Sequence, residues 1–177
     1  MKMLKKAAAV LLAAAMSLVM LTACGGGSSV VKTDEQKVED AYMTVLNTVL
    51  GKEYQNDSGL QKKAKEALTK DVATDGSIDK EKVGGYFDTD NDGVDDSAYY
   101  IINDGEGKAV GVTSEQASQL NDPAFVSAAA AEYKEMMEGM GFKSDEITAV
   151  GTAAVKKGDK TYAALAFTVD VSAIEKT

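Results

Sequence analysis

The sequence contains no histidine, no tryptophan and no arginine; all 19 of its basic residues are lysine. Without histidine there is no Ser-His-Asp or Cys-His catalysis and no imidazole metal site. One cysteine allows neither an internal disulfide nor a paired-cysteine redox site. A formal charge of −9 with no arginine argues against nucleic acid, whose phosphates need basic contacts. One proline leaves long stretches free for helix and strand. What is present describes a globular chain: 177 residues, 45% hydrophobic and 27% charged, enough for one domain with a real core.

The first segment reads as an address. Lys2, Lys5 and Lys6 form a positive start, and Ala7 to Ala23 follows without a charge. That is the layout of a secretory signal peptide. Leu21-Thr22-Ala23-Cys24 then resembles the lipobox of bacterial lipoproteins. The resemblance implies cleavage before Cys24, a lipid on its sulfur, and an anchor in the membrane on the extracytoplasmic side. Gly25-Gly26-Gly27-Ser28-Ser29 suits a flexible tether behind that anchor and does not suit a buried thiol. Removing residues 1–23 would take away three lysines and no acid, lowering the formal charge to about −12. Anionic head groups repel such a domain. The expected organisation is signal peptide 1–23, lipidated tether 24–32 and a globular domain 33–177.

Three S/T-x-x-Q capping boxes punctuate the mature chain, at Thr33–Gln36, Ser58–Gln61 and Thr113–Gln116. The first two open apolar stripes at helical spacing and the third a short helix to Leu120. Val38, Ala41, Tyr42, Val45, Val49 and Leu50 form the first, and Leu60, Ala64, Ala67, Leu68 and Val72 the second. Asp122-Pro123 starts a further helix, with Asp as N-cap. Its stripe runs from Phe125 through Tyr133 to Met136, Met137 and Met140, spacing that suits core packing. Strands are expected at 82–87, 98–102, 108–112, 147–155 and 161–171. A Gly158-Asp159 turn pairs the last two, setting Val150 opposite Phe167 and Thr152 opposite Leu165. Leu165, Phe167, Val169 and Val171 would then share the core face. The sum is a single α+β domain, a small antiparallel sheet with helices mainly on one face.

One segment carries chemistry. Asp88, Asp90 and Asp92 alternate, Gly93 stands sixth and Asp96 ninth. Ca²⁺ takes six to eight oxygens, and alternate carboxylates in a curled loop aim them inward while glycine permits the bend. The segment resembles the D-x-D-x-D-G-x-x-D calcium loops of EF-hands, dockerins and integrin-type propellers. By that resemblance Asp88, Asp90, Asp92, Asp96 and the Val94 carbonyl are the ligands. Asp95 stands where an aliphatic residue is usual, and Tyr99 where an EF-hand has its bidentate glutamate. An EF-hand fold therefore does not follow, and a hairpin near 82–102 suits the loop better. A plain polar turn is the alternative, but five aspartates within nine residues strain such a turn without a cation. Asp71, Asp75 and Asp79 faintly echo the pattern and read as a helix end and turn. Tyr86, Phe87, Tyr99 and Tyr100 flank the acidic loop, as buried aromatics or as a sugar platform.

No residue is nominated as catalytic. The expectation is a monomeric, envelope-anchored binding or structural lipoprotein that holds calcium, with an unknown extracellular ligand. A carboxylate-based glycoside hydrolase needs no histidine and stays open as the alternative.

Overall fold

The computed structural model describes residues 32–88, 96–139 and 144–169, with side chains except at 135–139. Four helices and five strands lie among them: α1 (Asp34–Leu50), α2 (Ser58–Asp71), β1 (Gly84–Phe87), β2 (Ser97–Ile101), β3 (Gly111–Val112), α3 (Ser114–Gln119), α4 (Pro123–Gly139), β4 (Ile147–Lys157) and β5 (Lys160–Val169).

Local chemistry sets most helix starts. Thr33 and Thr113 each close the expected capping box, the first with Gln36 and the second with Gln116. The Asp122 carboxylate accepts the Ala124 N–H at 2.8 Å, with Pro123 in the first helical position. α2 departs from expectation. Its cap is Asp57, which accepts the N–H groups of Gly59 (2.9 Å) and Leu60 (3.0 Å); Ser58 is already helical. The cause is tertiary. The Asp57 N–H donates to the Val150 carbonyl at 2.9 Å, which holds residue 57 extended and hands it the cap.

All five strands join one antiparallel sheet, ordered β1-β2-β5 with β4 on the far side of β5. β3 takes over beside β5 at Thr161–Tyr162, where β2 has ended. The last hairpin pairs Val150 with Phe167 and Thr152 with Leu165, the register its turn chemistry dictates. Gly158 occupies the turn with φ +65°, a region that favours glycine.

The sheet has two covered faces. Ala163 and Leu165 of β5 point into a core shared with α1, α3 and α4. Tyr162, Ala164 and Ala166 point the other way, into a second core under α2. Three helices thus share one face and α2 alone takes the other. The expectation of one core face on β5 missed this, because beyond Tyr162 its other face carries Ala164 and Ala166, small residues that only a close helix can cover. Gly151 permits the approach: a Cβ there would stand 2.6 Å from the Leu60 Cβ. Among the described residues, both clusters are built from Val38 onward.

The two edges of the sheet differ. β4 is sealed by side chains and loop. Asn56 accepts the Thr152 N–H at 2.8 Å and donates to its carbonyl at 3.0 Å. The Glu39 carboxylate accepts the Ala154 N–H at 3.0 Å and also takes the Gln61 amide at 3.1 Å. β1 has no such cover among the described residues.

Candidate functional site

β1 and β2 pair antiparallel from Gly84↔Tyr100 to Phe87↔Ser97, so residues 88–96 connect them at one end of the sheet. The β2 side of this connection is tied to β5. The Asp96 carbonyl accepts the Val169 N–H at 2.9 Å, and the Ser97 and Thr168 hydroxyls lie 2.8 Å apart. Because Phe87 and Ser97 are opposite one another, Asp88 and Asp96 leave the ladder as neighbouring ends of the acidic segment. Both are half-buried. Asp90, Asp92 and Val94, the other expected ligands, lie outside the described residues, as does the expected lipidation site Cys24. Among the described residues no group of three or more His, Cys, Asp or Glu side chains converges.

The upstream acids are used locally. Asp71 ends α2, its side chain 7% exposed and 3.6 Å from the Lys82 ammonium. Asp75 accepts the backbone N–H and the hydroxyl of Ser77, at 3.0 and 2.7 Å. These two bonds, the backbone one foremost, hold its carboxyl below the usual range. Asp79 accepts the Glu81 N–H at 3.1 Å. Asp75 and Asp79 thus make turns of their own, as a helix end followed by a turn requires.

The aromatics around the loop divide. Phe87 and Tyr99 lean on one another on the α2 side, ring centroids 6.5 Å apart, with the Lys63 ammonium 5.7 Å from the Phe87 centroid. The Tyr99 ring also covers Gly85, where a Cβ would meet it at 2.9 Å. Tyr100 packs against the other core, its hydroxyl accepting from Asn103 at 2.9 Å. Only Tyr86 stands out, 73% exposed. Three of the four are thus partly buried against the two cores, and one is exposed.

The acidic hairpin and the start of the domain lie at opposite ends of the sheet. Asp34, first in α1, holds Lys156 at 2.8 Å beside the β4–β5 turn. Asp96 is bonded to Val169 at the other end of β5. Ten strand residues separate the two ends, about 30 Å. The Lys156 and Ser114 hydrogen bonds hold the Asp34 carboxyl below its ordinary range and pin the first turn of α1.

Two features escaped sequence reasoning. The seal on β4 joins Asn56 and Glu39 to residues about a hundred positions away, and no local pattern signals it. Burial pushes the Glu39 carboxyl up, against the Ala154 hydrogen bond that lowers it. The other feature is an open groove of about 540 Å³ between α1 and α4, lined by Thr48, Val49, Pro123, Val126, Ala130 and Lys134. The Met136 and Met137 side chains, and all of Met140, lie outside the described residues.

No family model, no curated protein and no solved structure matches the chain.

Proposed function

We propose that the chain is a lipoprotein of the cell envelope, anchored through Cys24, whose folded domain is a non-catalytic binding or structural module stabilised by calcium. The observation that carries the reading is the seating of the acidic segment. Its two ends are held side by side by the Phe87↔Ser97 pair and the Val169–Asp96 bond, so the carboxylates between them start from a fixed base. A hairpin loop so rooted loses less entropy on closing around an ion than a free loop of the same length. The proposed ligands are Asp88, Asp90, Asp92, Asp96 and the Val94 carbonyl. An extracellular module of this kind works at calcium levels of about 0.1–1 mM. The position of the hairpin, at the end of the sheet opposite the start of α1, favours presentation away from the tether.

Melting of the unlipidated chain Gly25–Thr177 in calcium and in chelator tests this. Among the described residues the first core cluster begins at Val38 and the second at Leu60, both well inside this chain. Calcium at ten times its dissociation constant contributes about 1.4 kcal/mol, a rise of about 3–6 °C for a domain of this size. Mg²⁺ does less, since it gives up its waters reluctantly. Asp90→Ala abolishes the response and leaves the melting point in chelator unchanged. Identical melting in millimolar calcium and chelator overturns the reading.

A further inference from the structure

The sheet separates the charge of the domain. α2 carries four lysines against two acids, whereas α1, α3 and α4, on the opposite face, carry eight acids against two lysines. Lys62, Lys63, Lys65 and Lys70 are all exposed, on the side of α2 away from the second core. Among the described residues none of the four makes an ion pair. Of the two acids, Asp71 is turned inward, its side chain 7% exposed, with the Lys82 ammonium 3.6 Å away. Only Glu66 is left on the outer face. We infer that this face of α2 lies on anionic lipid head groups, those of the bilayer that holds Cys24; the setting rests on the anchor proposed above.

Placement selects the bilayer over a polyanion in solution. α2 runs along β4 and ends at the β4–β5 turn, where the Lys157 ammonium donates to the carbonyls of Thr69, at 3.0 Å, and Val72. Lys156, its neighbour, holds Asp34 at the start of α1. The chain therefore enters the domain beside the last turn of α2. The nine residues 24–32 before it span at most about 30 Å. That exceeds the length of α2, about 21 Å for its 14 residues. A tether this short holds the face at a high effective concentration over the surface, so a weak contact suffices. A net charge of about −12 by itself predicts repulsion, and the layering of the fold reverses that locally. Layers about 10 Å apart put α1 and α4 roughly 20 Å beyond α2, more than two Debye lengths of about 8 Å at physiological ionic strength. The turn 79–82 beside α2 is balanced, two acids against two lysines, and the acidic hairpin lies at the other end of the sheet. The lysines of α2 thus dominate the field on their own side.

Cys24 is the only thiol, so the chain Cys24–Thr177 can be coupled through it to a maleimide-bearing lipid. Coupling makes the outcome independent of whether a cell lipidates Cys24, which fractionation of Cys24→Ala tests separately. The vesicles are phosphatidylcholine, alone or with about 30% phosphatidylglycerol, in chelator. A brief pulse of an amine-acetylating reagent, followed by mass spectrometry, reads each lysine relative to exposed Lys52 and Lys134, on the three-helix side. Lys62, Lys65 and Lys70 react at least about threefold more slowly on anionic than on neutral vesicles, and the difference disappears at about 0.5 M salt. Each lysine near an anionic surface multiplies the population in contact about fivefold. Lys62→Gln with Lys70→Gln therefore returns Lys65 to its rate on neutral vesicles. Lys52→Gln with Lys134→Gln changes the net charge equally and leaves Lys65 protected. Equal rates on the two kinds of vesicle overturn the inference and leave the lysines as solvated surface. So does a loss of protection from the Lys52 and Lys134 pair as large as that from Lys62 and Lys70, since net charge and not the α2 face would then govern the contact.

Discussion

Replacing Asn56 by alanine opens the sealed edge of β4. The Asn56 amide meets both backbone groups of Thr152, at 2.8 and 3.0 Å, and does the work of a neighbouring strand. Thr152 is 1% exposed, so its N–H and carbonyl depend on that amide for partners. Leaving a buried donor or acceptor unsatisfied costs about 1–3 kcal/mol each. Asn56 is itself only half-buried, and water entering the space left by its amide offsets part of this. The net loss is therefore about 2–4 kcal/mol. For a domain of this size that lowers the melting point by about 5–15 °C. A typical stability of about 5–15 kcal/mol keeps the variant folded at room temperature. Thermal melting by circular dichroism, in chelator, measures the change. Asn121→Ala is the control, because that side chain is exposed and makes only a long 3.5 Å contact with the Lys37 carbonyl; it stays within about 0.5 kcal/mol of wild type. If Asn56→Ala falls within the same margin, the amide is not the seal and the account of the β4 edge is wrong.

Gly151→Ala forces a methyl to within 2.6 Å of the Leu60 Cβ and 2.7 Å of the Gln61 nitrogen, so α2 must shift at a cost of about 1–3 kcal/mol, read by chemical denaturation. Glu39 supplies a pH dependence. Its folded pKa is raised, chiefly by burial, so the folded state binds that proton more tightly than the unfolded one, and its ionisation erodes stability as pH rises from the unfolded value through the folded one. Glu39→Gln keeps an acceptor for the Ala154 N–H without that charge. Its stability relative to wild type therefore increases as pH rises above the ordinary glutamate value of about 4.3; a parallel pair of curves would refute the burial argument. Cys24→Ala removes the proposed acceptor of the lipid, and fractionation should find the protein released from the membrane; firm membrane retention at normal size would exclude the anchor.

Local chemistry in the sequence determined much of this protein. Thr33 and Thr113 cap their helices because a hydroxyl and a glutamine three residues on complete their bonds within one turn. The register of the β4–β5 hairpin follows from a two-residue turn and a side-chain period of two as far as Ala149↔Thr168, beyond which an irregularity shifts it. Placing β-formers on both sides of the acidic segment made β1 and β2 legible as well. The lipobox resemblance and the aspartate spacing are contiguous patterns and stand as proposals; Cys24, Asp90, Asp92 and Val94 lie outside the described residues, Asp88 and Asp96 within them. Tertiary structure decided the rest. Asp57 rather than Ser58 caps α2 because Val150, far along the chain, fixes residue 57. The second core exists because Gly151 admits α2 against a row of alanines, and alanine alone does not declare which way it faces. Asn56 and Glu39 reach partners 96 and 115 positions away, and a bond between residues so far apart leaves no periodic mark near either. Among the described residues one edge of the sheet is closed and the other uncovered for that reason: edges are made by what the fold brings alongside a strand, and the strand's own residues do not encode it.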